Sequence, residues 1–194
     1  QDKHKIPRRC LRQLGKNPVK VALVLIHSGF AGKNSRTVPM ALFTLDDLEA
    51  AADFVHATMP PTPQYAWPLL AKRTGADVWV KHENHTPTGA FKVRGGLVYM
   101  DELKRSGDVR GVVSATRGNH GQSIALAATK AGLRSVIYVP HGNSVEKNAA
   151  MRAFGAELVE HGSDFDAAKE AAAAAAKAEN LTFVPSFPPA LVKG

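Results

Sequence analysis

Lys92 is the residue of this chain whose type and setting best suit covalent chemistry. It lies between Phe91 and Val93 in the stretch TGAFKVRGG, shortly after the apolar run at residues 78–80. An apolar setting predicts partial burial, and burial favours the neutral amine that reacts with a carbonyl compound to form a Schiff base. A lysine near a helix start is nevertheless most often a solvated surface residue. The residues alone leave both interpretations open.

A second candidate is the loop Thr116-Arg117-Gly118-Asn119, which lies between the apolar run GVVSA and a helical pattern. In an open parallel sheet, ligands bind at the carboxyl ends of the strands, where the amino termini of helices face them. Free backbone N–H groups and the helix dipole would make this loop an anion site. The structural alternative is that Gly118 forms the turn and Asn119 caps the helix.

These candidates belong to an alternation of strands and helices that begins after Met40. Strands separated by helices of 10–15 residues predict βαβ units, and therefore an α/β protein with an open, mainly parallel sheet and helices on both faces. The first helix is capped by Thr44 with Asp47 and turns Leu45, Leu48, Ala52 and Val55 to the core. The later predicted helices are 69–74, 91–105 (capped by Thr88), 119–131, 144–154 and 163–179 (capped by Ser163); the strands are 77–81, 111–115, 135–139, 157–160 and 182–184, and 63–68 is a loop.

Two motifs connect the chain to a known family. TGAFKVRGG, preceded by KHEN, resembles the lysine motif of fold-type-II pyridoxal-phosphate enzymes, in particular the threonine and serine ammonia-lyases (dehydratases). SATRGNHGQSIALAA, residues 114–128, resembles a second motif of the same family and follows at the expected distance. The resemblance covers roughly residues 41–194. It implies a tryptophan-synthase-β-like fold, of which these residues would form the small βα domain and the first segment of the large domain.

The resemblance also implies roles for individual residues. Lys92 would hold pyridoxal 5′-phosphate as a Schiff base and act as the catalytic residue. Asn119 would donate a hydrogen bond to the phenolic oxygen of the cofactor, and Phe91 would pack beneath its ring. The residues expected to bind the substrate and its α-carboxylate are Thr116, Arg117, Gly118 and His120.

The reaction that the resemblance implies is the β-elimination of L-threonine or L-serine to a 2-oxo acid and ammonia. Once the substrate amine has displaced Lys92, the freed amine is the natural base for the α-proton. The pyridine ring spreads the resulting negative charge, which is the cofactor's contribution. The expected partners are a small amino-acid substrate and, in the full-length protein, further copies of the same chain. We expect a cytoplasmic protein without a membrane or nucleic-acid partner.

Two departures from the family pattern bear on function. Arg117 stands where most relatives have a small residue, and a guanidinium there could pair bidentately with a second substrate carboxylate, which raises 3-hydroxyaspartate as an alternative substrate. The family's glycine-rich loop for the cofactor phosphate lies further along the chain than Gly194. We therefore expect the 194 residues alone to be inactive or nearly so. The alternative to an enzyme is a non-catalytic fragment that keeps the fold but cannot hold the cofactor.

The net charge of +8 has one source. Residues 1–40 hold nine Lys or Arg and one acid, whereas residues 41–194 hold sixteen of each sign. The composition of this basic extension predicts that it is disordered and not needed for folding. The alternatives are an organelle-targeting segment or an arm that binds nucleic acid. The single cysteine, Cys10, cannot form an internal disulfide, and no stretch approaches the roughly 20 apolar residues of a membrane span.

Three other signals are not assigned a catalytic role. His82-Glu83-Asn84-His85 resembles a zinc-protease signature, but its histidines are three residues apart rather than four, so no metal site is predicted. His120 is expected to line the carboxylate loop or to cap a helix rather than to act as a base. Arg94 and Arg110 are interpreted as surface or structural charges.

Overall fold

The computed structural model describes residues 42–194, and the predicted basic extension of residues 1–40 lies outside the described residues. Within 42–194, no helix is both long enough and apolar enough to cross a membrane. The helices are α1 (Leu45–Thr58), α2 (Pro68–Thr74), α3 (Lys92–Arg105), α4 (Asn119–Ala131), α5 (Val145–Ala153), α6 (Phe165–Glu179) and α7 (Pro189–Lys193). The strands are β1 (Gln64–Ala66), β2 (Trp79–Lys81), β3 (Gly111–Ala115), β4 (Arg134–Val139), β5 (Glu157–Glu160) and β6 (Thr182–Phe183).

Four strands form a parallel sheet in the order β5-β4-β3-β6. β3 pairs with β4 from Gly111 opposite Arg134 to Ala115 opposite Tyr138, and it pairs with β6 on its other edge. All five residues of β3 are buried. A strand buried on both faces is typical of parallel sheets covered by helices, so the predicted α/β fold with a parallel sheet is confirmed.

The two faces of this sheet belong to two apolar clusters, because successive residues of a strand point to opposite faces. Val112 and Ile137 pack with residues of α1, α3, α4 and α5. Val113 and Val136 pack with Ala172 of α6 and its neighbours on the other face. This arrangement places the amino terminus of α4 directly after the carboxyl end of β3, where the candidate loop lies.

The start of α3 differs from the prediction in a way that concerns Lys92. The N-cap residue is Phe91, which makes no capping hydrogen bond through its side chain. The predicted cap, Thr88, instead donates its hydroxyl to the carbonyl of Ala90 (3.2 Å), and the Thr86 hydroxyl both accepts from Ala90 N–H and donates to Ala90 C=O. The two threonines therefore satisfy the loop before the helix, and the prediction of Thr88 as the cap was wrong.

Two other helices begin or face differently from the prediction. α6 is capped by Asp164, whose carboxylate accepts from Ala167 N–H, rather than by Ser163. In α1 the predicted capping box of Thr44 and Asp47 is present. Its predicted inward face is only partly right, because Val55 is buried while Leu45, Leu48 and Ala52 are exposed and Ala51 turns inward.

Residues 64–81 form a small unit of their own. β1 pairs antiparallel with β2, from Gln64 opposite Lys81 to Ala66 opposite Trp79. The helix between them, α2, starts with Pro68 and ends at Gly75, whose left-handed backbone (φ 69°) suits glycine. The prediction of a loop over residues 63–68 was wrong. A strand of only three residues is defined by its pairing with a partner strand, and here the partner lies more than ten residues further along the chain.

Candidate active site

Lys92 is the first residue of α3, and its side chain is partly buried. The fully buried hydroxyl of Ser123 on α4 donates to the backbone carbonyl of Lys92 (2.6 Å). Gly96 permits this close packing of α3 on α4, because an added Cβ would lie 2.2 Å from the Ser123 hydroxyl oxygen. The backbone position of Lys92 is therefore set by α4, the helix that also begins at the candidate anion loop.

Two phenylalanines flank the lysine. The Lys92 ammonium lies 5.5 Å from the ring centroid of Phe187, within the range of a cation–π contact. Phe187 is 79% exposed and Phe91 is 62% exposed. Phe91 lines a cavity of about 420 Å³ together with Lys92, His120 and Phe187. The packing of Phe91 beneath a cofactor ring stays a prediction.

The other predicted residues meet Lys92 in an adjoining open cavity of about 480 Å³. Its lining includes Thr116, Arg117, Gly118, Asn119 and His120 as well as Lys92, and it also includes Lys147 and Phe187. Residues more than twenty positions apart in sequence are thus brought to one place at the carboxyl end of β3.

Thr116 serves the loop itself. Its hydroxyl oxygen accepts hydrogen bonds from the backbone N–H groups of Gly118 (3.0 Å) and Gly121 (3.3 Å), and the residue is buried. Asn119 is exposed and is the first residue of α4; the N-cap position is occupied by Gly118, without a side-chain cap. The structural alternative in which the Asn119 side chain caps the helix is therefore not what the fold uses.

The backbone at the start of α4 is suited to an anion. Within residues 42–194, the N–H groups of Asn119 and His120 have no protein acceptor, whereas those of Gly118 and Gly121 bond to Thr116. The positive end of the dipole of this 13-residue helix faces the same space. Two free donors and a helix amino terminus can hold a carboxylate.

His120 is a buried, neutral group next to the lysine. Its Nε2 lies 3.0 Å from the Ser114 hydroxyl, which itself donates to the carbonyl of Val184 (2.8 Å). Because the Ser114 hydroxyl donates its proton to the Val184 carbonyl, Nε2 of His120 must carry a proton and donate it to the Ser114 oxygen. Burial, followed by the positive charge of Lys92, lowers the pKa of His120 to about 4, against a smaller opposing effect of the Val184 carbonyl. His120 is uncharged at neutral pH.

Comparison with known proteins places the chain in a family. The family model described as "Pyridoxal-phosphate dependent enzyme" matches residues 56–194. The chain belongs to this family. Among curated family relatives, the L-threonine dehydratase biosynthetic IlvA of Haemophilus influenzae is 36% identical over 71% of this chain and 27% of its own length. That of Pasteurella multocida is 38% identical over 69% of this chain and 26% of its own length. The chain thus spans about a quarter of the length of these curated relatives.

Solved structures of the pyridoxal-phosphate enzymes give the same fold. A pyridoxal 5′-phosphate-dependent aspartate racemase is similar with a TM-score of 0.74 and 29% identity, over 81% of this chain and 50% of that one. The processed threonine deaminase isoform 2 of Solanum lycopersicum is similar with a TM-score of 0.66 and 28% identity, over 78% of this chain and 46% of that one. The predicted fold type II is confirmed, with this chain covering part of that fold.

The side chains present suit the reactive end of the family's cofactor, pyridoxal 5′-phosphate. Its aldehyde needs a primary amine, and its phenolic oxygen needs a hydrogen-bond donor. Lys92 and Asn119 both line one cavity, and their amine and amide are groups of these two kinds. The pairing of amine and amide is a donor set that fits this end of the molecule.

Sequence reasoning missed three residues of the site, namely Lys147, Phe187 and Ser114. Ser114 was part of the second motif but carried no assigned role. Lys147 lies one turn into α5, where its backbone N–H donates to the cap residue Ser144. Nothing local distinguishes it from any other surface lysine, since its approach to Gly118 arises only from the packing of α5 beside the loop.

The segment His82–His85 has a structural task. Glu83–His85 forms a single turn of 3₁₀ helix rather than a loop. Both carboxylate oxygens of Glu83 bind the guanidinium of Arg94, at 2.8 and 3.0 Å, and one of them accepts the hydroxyl proton of Thr62 at 2.6 Å. Arg94 is therefore a structural charge and not a surface one, and it ties this turn to the first turns of α3.

The neutral state of His120 predicts a pH dependence of stability. Between pH 4 and 6.5 the unfolded chain binds a proton at this position that the folded protein resists, so the free energy of unfolding should fall as the pH drops through this window. The full difference between a pKa of 6.5 and one of about 4 corresponds to roughly 3 kcal/mol. Denaturant unfolding of wild type and His120→Gln at pH 7.5 and 4.5 measures it.

The variant should lose this part of the pH dependence, because a glutamine amide can still donate to Ser114 but does not titrate. His141→Gln, at an exposed histidine, is the matched control for replacing one imidazole by an amide. Identical pH profiles for wild type and His120→Gln would contradict a neutral, buried imidazole.

Proposed function

We propose that this protein is a pyridoxal-phosphate-dependent ammonia-lyase that removes the β-hydroxyl and the amino group of L-threonine, with L-serine as a second substrate. The observation that carries the proposal is the shared cavity of the Lys92 amine and the free N–H groups at the start of α4. The names of the curated relatives support threonine as the substrate. We also propose that residues 41–194 are part of the lyase domain and that residues 1–40 are an extension to it.

In this proposal the amino end of α4 binds the substrate. The α-carboxylate lies against the N–H groups of Asn119 and His120 and the positive end of the helix dipole. Thr116 fixes the conformation of the loop by accepting hydrogen bonds from the N–H groups of Gly118 and Gly121. Asn119 and Lys92 hold the cofactor. A carboxylate bound here would hold the substrate in the cavity that Lys92 also lines.

Lys92 would have two tasks, to hold the cofactor through its amine and to accept the Cα proton of the substrate. When bound, the cofactor's pyridine ring accepts the electron pair released at Cα. The Cα–H and Cβ–O bonds break, water leaves, and hydrolysis yields 2-oxobutanoate and ammonia from threonine. No oxidant or reductant is needed. His120, neutral and held by Ser114, adds no positive charge beside the lysine amine.

A second candidate substrate is 3-hydroxyaspartate, and one observation favours it. Arg117 lines the cavity, is exposed to it and has no carboxylate partner within the described residues. A dicarboxylic substrate would supply that partner.

The test is a substrate comparison on the purified full-length protein with added pyridoxal 5′-phosphate. Ammonia and 2-oxo acid are measured with L-threonine, L-serine and L-threo-3-hydroxyaspartate, and D-threonine serves as the stereochemical control. We expect equal amounts of ammonia and 2-oxobutanoate from L-threonine and none from D-threonine. Cofactor binding without ammonia release from any of the three L-substrates would refute the proposed function.

A further inference from the structure

Lys147 lies across the loop that begins the active site, although no motif assigns it a role. A Cβ added to Gly118 would lie 2.7 Å from Cδ of Lys147 and 3.0 Å from its ammonium nitrogen. A side chain at position 118 would displace the flexible end of Lys147 from its place beside the loop. The amine of Lys147 is brought next to the residue that follows Arg117.

The cavity that Lys147 enters is lined by cations without an acid. Lys92, Arg117 and Lys147 all contribute to its wall, and none of its lining residues is Asp or Glu. Five other cations in the described part of the chain are paired with carboxylates, namely the guanidiniums of Arg94, Arg105, Arg134 and Arg152 and the ammonium of Lys193. Arg117 and Lys147 have no carboxylate within 4 Å among residues 42–194.

Like charges held close together without a counter-charge repel each other, and an anion between them relieves that repulsion. The α-carboxylate already has donors in the N–H groups of Asn119 and His120. Lys92 is committed to the cofactor in the proposed reaction. The two remaining cations therefore call for a second anionic group on the ligand.

We infer that Arg117 and Lys147 form a subsite for the distal carboxylate of a dicarboxylic amino acid, which makes the β-hydroxylated dicarboxylates a substrate class of this enzyme. The inference rests on the proposed function for the placement of the α-carboxylate. Arg117 offers a planar fork that suits a carboxylate, and Lys147 offers a single mobile ammonium that closes over it. Neither side chain has to break an existing ion pair to bind.

Succinate and butyrate test the subsite without any chemistry. Both have four carbons and neither has an amino group that could react with the cofactor, but only succinate carries a second carboxylate. Their dissociation constants for the full-length protein are measured by calorimetry in low salt. We expect succinate to bind at least tenfold more tightly than butyrate.

Lys147→Gln and Arg117→Gln remove one charge each at similar side-chain length. Each should weaken succinate binding at least fivefold and butyrate binding less than twofold, and Lys147→Arg should restore most of the succinate affinity. Lys130→Gln, at an exposed position in the last turn of α4, controls for the loss of one positive charge anywhere on the surface and should change neither constant.

Equal weakening of both ligands by the two variants would mean that the cations bind the shared carboxylate, and no weakening would mean that they bind neither; both results overturn the subsite. Ammonia release from L-threonine, measured on the same preparations, separates this failure from that of the proposed function. Selective succinate binding without ammonia release leaves the subsite standing and refutes the lyase. Ammonia release without selective succinate binding supports the lyase and refutes the subsite.

Discussion

Replacing Lys92 with alanine is expected to abolish both covalent retention of the cofactor and turnover of L-threonine. The side chain supplies the amine that holds the cofactor and the base that takes the Cα proton, so one substitution removes two functions. General base catalysis alone typically contributes a factor of about 10² to 10⁴. We therefore expect ammonia release to fall by at least about three orders of magnitude. Stability should change little, because the ammonium makes no ion pair in the described structure and α3 begins with the backbone of this residue.

A second lysine in the cavity could also bind the cofactor, so the prediction distinguishes between two amines. Lys147 lines the same space and also carries a primary amine. Borohydride reduction followed by peptide mapping should find the cofactor on Lys92 in wild type and on no lysine in Lys92→Ala. Lys104→Ala is the control on the same helix, at an ammonium that only donates to the carbonyl of Ala131, and it should retain both cofactor and activity. A reduced adduct on Lys147 in wild type would overturn the assignment.

The site could be predicted from sequence as far as its motifs are local. Lys92 and the Thr116–Asn119 loop each lie within a short pattern of residues, and the structure brings them to one cavity. Lys147 could not be found in this way, because its relation to Gly118 depends on how α5 packs beside the loop. The same holds for Phe187, which reaches the lysine from a segment more than ninety residues further along the chain.

The fold could be predicted where a strand is buried on both faces or where a helix ends at a glycine. β3 and α4 occupy the predicted ranges, since all five residues of GVVSA are small and buried and Gly132 ends the helix in a left-handed conformation (φ 73°). β1 was missed because its three residues form a strand only against β2. The cap of α6 was misassigned because Ser163 and Asp164 are adjacent and both side chains can accept a hydrogen bond from a helix N–H group. The cap of α3 was misassigned because the Thr88 hydroxyl bonds to the Ala90 carbonyl in the preceding loop instead.

The second large effect is expected at Arg94, which stabilises the part of the chain that presents Lys92. Its guanidinium binds both oxygens of Glu83, and the two side chains are only 14% and 22% exposed. Removing the guanidinium takes two charge-assisted hydrogen bonds from a carboxylate that lies largely away from water, which costs about 3 to 5 kcal/mol. Arg94→Met should therefore lower the free energy of unfolding by about 4 kcal/mol. Since Glu83 holds the turn before α3, cofactor affinity should fall as well.

A matched substitution on the same helix isolates the effect of burial. Arg105→Met breaks an ion pair with Asp101, but that guanidinium is 69% exposed, so the change should be about 0.5 kcal/mol or less. Glu83→Leu combined with Arg94→Met removes both charges and should recover most of the stability that Arg94→Met loses. Denaturant unfolding of the four proteins and titration with pyridoxal 5′-phosphate measure these differences. If Arg94→Met were no less stable than Arg105→Met, the Glu83–Arg94 pair would not be what holds the start of α3, and the position of Lys92 would depend on the Ser123 hydrogen bond and the packing of α3 on α4.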